Sequence, residues 1–197
     1  MKYFILVLSL LAGLYGCAIE PSIEHQYDLT RYSATRYTHT TPSKSLLVAV
    51  INTAKAYDST QMLYVKHPFE LAAFAHNSWI APPADMLKPL LLQSAQYSGY
   101  FTAVTANAAA EKTDYRLDTE LLALYQDFIT KPSTLVLEAK ITLADVKHLR
   151  ILGSKLLKFR FRCPTDTPFG GTLAANNAAH EFTTKTMQFL GFYMRHA

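Results

Sequence analysis

The sequence predicts a single-domain α/β sandwich, in which helices cover a mixed β-sheet that contains antiparallel strands. Residues 114–128 and 134–146 alternate apolar and polar side chains, as half-buried strands do. Residues 83–98 and 172–194 instead repeat apolar side chains at helical spacing. A chain of 197 residues is long enough for one domain with its own core. Helices packed on a sheet are the architecture that this order of elements favours.

The domain is predicted to span residues 45–197 and to begin with buried strands. Leu46–Ile51 is a continuous apolar run, typical of a central strand that is covered on both faces. Gln61–Val65 is a second short strand. Residues 67–80 have some helical spacing, but they end on an aromatic residue before two prolines, and this favours a strand.

The first helix is predicted over residues 83–98. Pro83 suits a helix start, Asp85 places a negative charge in the first turn, and Gly99 suits the stop. A short strand should follow within residues 100–104. Residues 114–128 and 134–146 then form an antiparallel pair, because the connector between them contains a proline and suits a hairpin. Their predicted inward residues are Tyr115, Leu117, Thr119, Leu121, Ala123, Leu135, Leu137, Ala139, Ile141 and Leu143.

A third strand over residues 156–163 and a final helix complete the predicted domain. Leu157, Phe159, Phe161 and Cys163 should face inward, with Lys158, Arg160 and Arg162 on the outer face. A turn rich in proline and glycine follows at residues 163–171. The helix after it, from residue 172, should be about four turns long, since its apolar positions are spaced for one buried stripe.

The N-terminus carries the features of a lipoprotein signal peptide over residues 1–16. Lys2 precedes an apolar run that ends at Tyr15 and is too short to cross about 30 Å of hydrocarbon. The sequence Leu14-Tyr15-Gly16-Cys17 resembles the lipobox of bacterial lipoproteins, which implies cleavage after Gly16 and acylation of Cys17. Two or more acyl chains give stable anchoring, at about 0.8 kcal/mol per buried methylene.

Three expectations follow for this end of the chain. By the sorting pattern of such lipoproteins, Ala18 implies delivery to the outer membrane, with the protein on its periplasmic face. Residues 17–44 should form a lipidated N-terminus and tether, part of which can join the sheet as an edge strand. The alternatives are an ordinary cleaved signal with an incidental cysteine, or a transmembrane anchor.

The sequence contains little that points to catalysis, a metal or a cofactor. Its seven histidines show no metal-ligand spacing, and no serine-hydrolase elbow or phosphate-binding loop is present. Asp118 and Glu120 lie opposite the apolar face of their strand, where solvated carboxylates are expected. Cys163 is interpreted as a small buried residue, with a catalytic thiol as the alternative. We therefore expect no enzyme, no metal and no cofactor.

Basic residues concentrate between residues 147 and 162. The net charge of +4 is small for a nucleic-acid-binding protein, so no nucleic-acid partner is expected. The segment contains six basic residues and no acidic one, and three of the six are Lys158, Arg160 and Arg162. A solvated edge that discourages strand-to-strand aggregation explains this pattern. The functional alternative is contact with anionic lipid head groups or an acidic partner.

Several motifs together resemble the ABC-type transport auxiliary lipoprotein family over roughly residues 46–190. They are the lipobox, a tyrosine on a strand, the passage containing Trp79, Pro82 and Pro83, a helix that closes on Ser98-Gly99-Tyr100-Phe101, and an alanine-rich last helix. The resemblance implies an α/β sandwich without enzymatic activity. It implies an auxiliary component that docks a lipid conduit, built around an MCE-domain protein, to the outer membrane.

Two groups of residues are candidates for a partner surface: aromatic residues beside turns, and the basic residues of the third strand. The candidate interface residues are Trp79, Tyr100, Phe101, Lys158, Arg160 and Arg162, although the aromatic ones suit the core equally well. A homo-oligomer would suit a conduit. The alternative functions are a lipoprotein that carries lipid in an apolar groove, and an envelope hydrolase that uses Cys163 or a dispersed Ser/His/Asp set.

Overall fold

A computed structural model describes residues 25–37, 44–107 and 113–195 of the chain. Within these ranges nine strands form one mixed sheet, and two helices pack against it and against each other. The predicted fold class, a single-domain α/β sandwich, is confirmed. The signal peptide, Cys17 and the ends of the predicted tether lie outside the described residues. None of the described helices combines the length and the apolar character that crossing a bilayer requires.

The elements have the following bounds. The strands are β1 (His25–Tyr27), β2 (Ser45–Val48), β3 (Asn52–Thr53), β4 (Gln61–Val65), β5 (Ala72–Trp79), β6 (Ala103–Thr105), β7 (Tyr115–Asp127), β8 (Thr134–Asp145) and β9 (Arg150–Arg162). The helices are α1 (Pro83–Ser98) and α2 (Pro168–Met194), with a short 3-10 helix over Lys55–Tyr57. The predicted strand type of residues 67–80 is confirmed by β5, and the bounds predicted for β4 are confirmed.

The three long strands β7, β8 and β9 form an antiparallel meander. Tyr115 pairs with Asp145 at one end of β7, and Asp127 pairs with Thr134 at the other. A register shift between Leu121 and Ala123 turns Ala123 to the outer face, because Ala123 pairs with the outward Glu138. The inward residues predicted for β7 are therefore confirmed up to Leu121. Beyond the register shift, Leu124 and Gln126 point to the inner face instead of Ala123.

The second edge of β7 is shared by three short parallel strands. β2 pairs with its first residues, β3 with its middle and β4 with its last residues. β6 then extends the sheet beyond β2, while β5 and β1 extend it beyond β4. The strand predicted over Leu46–Ile51 ends at Val48, although Ile51 is still buried. One strand thus runs the length of the molecule, and the shorter ones are arranged along it.

Helix α1 matches its predicted bounds, whereas helix α2 is longer than predicted. Gly99 closes α1 in the left-handed region, with a φ of 75°. Helix α2 has 27 residues and already begins at Pro168, inside the segment predicted as a turn. The side chain of Thr167 caps it by accepting a hydrogen bond from the Gly170 amide at 3.1 Å. Because Thr167 caps the helix and Pro168 occupies its first position, the helix begins before Gly170 and Gly171 and includes both glycines.

Residues 25–37 belong to the folded domain, and β1 at the edge of the sheet is the kind of strand expected within residues 17–44. β1 pairs in parallel with β5, and Leu29 and Ser33 are buried. The segment then crosses helix α2, where the Ser33 amide donates to the Thr183 hydroxyl at 2.9 Å. It finishes beside helix α1, where the Tyr37 amide donates to the Ser98 carbonyl at 2.9 Å. These contacts attach the described part of the N-terminal segment to the sheet and to both helices.

Candidate interaction surfaces

The described residues hold no group of three or more histidine, cysteine or acidic side chains that could bind a metal ion. The prediction that Cys163 is buried is confirmed, since the residue is 2% exposed, and this burial raises the pKa of the thiol. The thiolate is the reactive form of cysteine, so a raised pKa keeps Cys163 unreactive near neutral pH. The net rise in the pKa gives no support to a catalytic role for this thiol.

The carboxylates around the start of β7 stabilise the fold through hydrogen bonds. Asp114 accepts from both the amide and the hydroxyl of Ser45 at 2.8 Å, and these bonds lower the pKa of Asp114. The His148 ring lies 2.8 Å from the Asp145 carboxylate, and this hydrogen bond lowers the pKa of Asp145. Asp118 pairs with Arg116 at 2.7 Å on the outer face, where solvated charges were predicted.

The apolar cavity beneath helix α2 offers very little space for a ligand. This cavity between the sheet and helix α2 has a volume of about 10 Å³, which is close to the minimum for one water molecule. Its lining includes Met62, Phe74, Trp79, Leu124 and Gly171. An acyl chain needs far more room, so this cavity gives no support to the alternative that the domain carries lipid inside.

The three aromatic candidate interface residues lie in the core of the domain. Trp79, Tyr100 and Phe101 are 3%, 4% and 8% exposed. Tyr100 stacks on Tyr37, with 4.8 Å between the ring centroids, so it holds the N-terminal segment against the domain. A partner cannot reach side chains that are this deeply buried, and the role of these residues in the described monomer is packing.

The basic candidate residues of β9 lie on the outer face, as predicted, but two of them have carboxylate partners. Arg160 contacts Asp127 at 2.8 Å, and Lys158 contacts Glu138 at 3.2 Å. Glu138 lies on the adjacent strand β8 and Asp127 on β7, one strand further away, so the sequence of β9 alone overstates the free positive charge. This pairing favours the structural explanation of the basic cluster, a solvated strand face.

One end of the sheet exposes apolar side chains on two adjacent turns. We call it the turn end; it comprises residues 66–71 after β4, residues 128–133 after β7, and Phe169 at the start of helix α2. The Phe128 amide donates to the Val65 carbonyl at 2.8 Å, which ties the two turns together. Phe69 is fully exposed, and Ile129 is 51% exposed. These exposed side chains gave no signal in the sequence, because isolated apolar residues in turns have no periodicity.

The opposite end of the sheet carries a second exposed apolar group. We call residues 146–151, which are the turn between β8 and β9 and the first two residues of β9, the hairpin tip. Leu149 is 92% exposed and Ile151 is 69% exposed. Beside the tip lies a charged cleft of about 230 Å³, lined by Lys44, Asp114, Tyr115, Asp145, Lys147, His148 and Arg150. The two ends of β7 therefore present two separate surfaces.

Solved structures share this fold. Protein XCC0632 from Xanthomonas campestris, assigned to the family DUF330, aligns with a TM-score of 0.75 at 22% identity, over 83% of this chain and 93% of that one. An uncharacterized protein aligns with a TM-score of 0.68 at 10% identity, over 84% of this chain and 97% of that one. The hypothetical protein CT253 from Chlamydia trachomatis aligns with a TM-score of 0.52 at 7% identity, over 79% of this chain and 100% of that one. At these identities the similarity concerns the fold alone.

The sequence comparisons identify the family. No curated protein sequence matches the chain significantly. The sequence profile of the ABC-type transport auxiliary lipoprotein component matches residues 27–185. This match extends from the end of β1 well into helix α2, so it covers nearly the whole described domain. The resemblance drawn from the sequence motifs is confirmed, and the chain belongs to the family of ABC-type transport auxiliary lipoprotein components.

Proposed function

We propose that this protein is an outer-membrane lipoprotein that acts, without catalysis, as the auxiliary component of a lipid transport system containing an MCE-domain protein. Acyl chains on Cys17 hold it at the periplasmic face. Family membership supports the transport role, and the lipobox at Leu14–Cys17 supports the anchor. The apolar cavity beneath helix α2, of only about 10 Å³, is too small for an acyl chain, and this favours docking over carriage of lipid in that cavity.

The observation that carries this proposal is the separation of two exposed surfaces along β7. The chain enters the domain at His25, on a strand that begins toward the turn end. The hairpin tip lies at the other end, beyond the pairing of Tyr115 with Asp145. A domain anchored from the turn end therefore presents its hairpin tip to the periplasm, where an MCE-domain protein would approach.

The hairpin tip has the features of a protein contact. Leu149 and Ile151 are exposed apolar side chains, and Lys147 and Arg150 flank them. Leu149 has a φ of 49°, in the left-handed region that a leucine seldom adopts. An exposed apolar side chain inside a charged border is typical of the centre and rim of an interface. We therefore place the partner contact at this tip.

Photo-crosslinking in intact cells tests the partner contact. A photoreactive residue replaces Leu149 or Ile151, and the matched control carries it at the exposed position Gln96 of helix α1. We expect adducts with an MCE-domain protein from the two tip positions and none from the control. Adducts with lipid alone would favour a carrier, and equal adducts from all three positions would contradict docking through the tip.

Fractionation of Cys17→Ser tests the anchor separately. We expect the variant to leave the outer-membrane fraction, because the thiol that takes the lipid is lost. The matched control is Cys163→Ser, which removes a buried thiol and should leave the protein in that fraction. Retention of Cys17→Ser in the outer membrane would contradict lipid anchoring.

A further inference from the structure

The direction of β1 determines which end of the domain lies nearest the N-terminal anchor. β4 runs parallel to β7, β5 runs antiparallel to β4, and β1 runs parallel to β5. β1 therefore runs opposite to β7, and its first residue, His25, faces the end at which β7 finishes. Cys17 precedes His25 by eight residues, which can span at most about 29 Å. Acyl chains on Cys17 would keep this end of the domain close to the membrane.

Exposed apolar side chains lie at that same end on three separate segments. Phe69 projects from the turn after β4, and its φ of 68° is unusual for an aromatic residue. Ile129 projects from the turn after β7, which is hydrogen-bonded to the first turn through Phe128 and Val65. Phe169 is 55% exposed at the start of helix α2, and its ring centroid lies 6.3 Å from that of Tyr27 in β1.

The charges at the turn end are compatible with a bilayer surface. The cations in or beside the turn end are Lys66, Lys131, Arg160 and Arg162, and the carboxylates are Glu70, Asp127 and Asp166. Asp127 pairs with Arg160, and Asp166 accepts from the Ser133 amide at 2.6 Å and is also stabilised by the charge of Lys131. Lys66 and Lys131 lie on the same turns as Phe69 and Ile129, where lysine side chains can reach lipid phosphates.

We propose that the turn end is a second membrane contact, in which Phe69 and Ile129 insert among the lipid head groups of the leaflet that holds the anchor. This proposal rests on the lipid anchor of the proposed function and adds a fixed orientation to it. An acyl anchor alone would let the domain tumble on its tether. When the turn end contacts the membrane, the long strands extend away from the bilayer, and the hairpin tip points into the periplasm.

Depth-dependent quenching of tryptophan fluorescence tests this contact. The full-length mature lipoprotein is reconstituted in phosphatidylcholine–phosphatidylglycerol vesicles that contain lipids brominated on their acyl chains. Phe69→Trp and Ile129→Trp place a tryptophan at the turn end, and Leu149→Trp is the matched control at the hairpin tip. All three positions are exposed, and the native Trp79 is buried in the core and gives a constant background.

We expect roughly half of the added fluorescence to be quenched at positions 69 and 129, and almost none at position 149, since interfacial side chains sit at the head-group and acyl boundary. Flotation of the vesicles is measured first on the same samples. Protein that fails to float would overturn the lipid anchor and this proposal with it. Protein that floats without quenching at positions 69 and 129, or with equal quenching at position 149, would overturn the membrane contact alone.

Discussion

Asn176 of helix α2 holds the backbone of Thr30 in the N-terminal segment. Its Oδ1 accepts hydrogen bonds from the amides of Thr30 at 2.8 Å and Arg31 at 3.2 Å. Its Nδ2 donates to the carbonyl of Asp28 at 3.0 Å. One side chain thus satisfies three backbone groups of a segment with no regular structure of its own. The N-terminal segment is thereby fixed to the last helix.

Asn176→Ala should loosen this segment. We expect a loss of about 1–2 kcal/mol in the free energy of unfolding, because the backbone groups of residues 28–31 lose their partner. Trypsin should also cleave faster after Arg31 and Arg36. The control is Asn177→Ala, which removes a single contact with the Arg31 guanidinium. Equal trypsin sensitivity of the two variants would show that Asn176 does not hold the segment.

Ser45→Ala should weaken the dependence of stability on acid pH. The hydrogen bonds from Ser45 lower the pKa of Asp114 in the folded protein below the value of 3.8 that an unperturbed aspartate has. The ionised carboxylate therefore stabilises the fold above this pH, and the contribution is lost as the pH falls through the folded pKa. The variant lacks one of these bonds, so it should lose less stability between about pH 7 and pH 3 than the native protein.

Urea unfolding at the two pH values measures this difference, and NMR titration gives the pKa of Asp114 directly. The control is Ser154→Ala, whose hydroxyl bonds Thr142 and the Ile141 carbonyl rather than a carboxylate. Its loss of stability in acid should equal that of the native protein. Identical acid dependence in Ser45→Ala would refute the role assigned to the hydroxyl.

Gly99→Ala should destabilise the end of helix α1. The φ of 75° at this position costs a residue with a Cβ atom about 1 kcal/mol, and the added carbon would also approach the Tyr37 carbonyl at 3.4 Å. Gln96→Ala, at an exposed position of the same helix, should leave the unfolding midpoint nearly unchanged. A midpoint for Gly99→Ala that equals this control would contradict the strained conformation.

Thiol labelling should detect one slowly reacting cysteine in each mature chain. Cys163 is buried and its pKa is raised, so a disulfide reagent should modify it only slowly in the native protein and rapidly in denaturant. If Cys17 is acylated, the denatured mature lipoprotein will release one equivalent of chromophore, and Cys163→Ser will release none. Fast labelling of the native protein would revive a catalytic role for Cys163.

The sequence was sufficient to predict the sheet and the first helix because their patterns are local. Alternation identified β7 and β8, and the proline and glycine at the ends of α1 marked its limits. β9 begins at Arg150 rather than at residue 156, since the first half of this edge strand is mostly exposed and shows no clean alternation. The early start of α2 was missed because Gly170 and Gly171 suggested a turn, while Thr167 and Pro168 start the helix.

The candidate surfaces depended on long-range contacts that a sequence does not display. Tyr100 is buried because Tyr37 stacks on it from a remote segment. Arg160 is paired because the meander brings Asp127 beside it from 33 residues away. The turn end likewise exists only because strand pairing sets Phe69 next to the turn that contains Ile129. These long-range contacts determine which side chains remain accessible to a partner.

The alignment of β7, β8 and β9 along the molecule has a mechanical consequence. A pull between the two ends of β7, whose 13 residues span about 40 Å, acts parallel to the strands and perpendicular to the hydrogen bonds between them. The whole ladder then resists in shear, with its bonds loaded together, whereas a pull across the sheet would open them one after another. The long axis of the domain is therefore its stiffest direction, suited to carrying tension between its two ends.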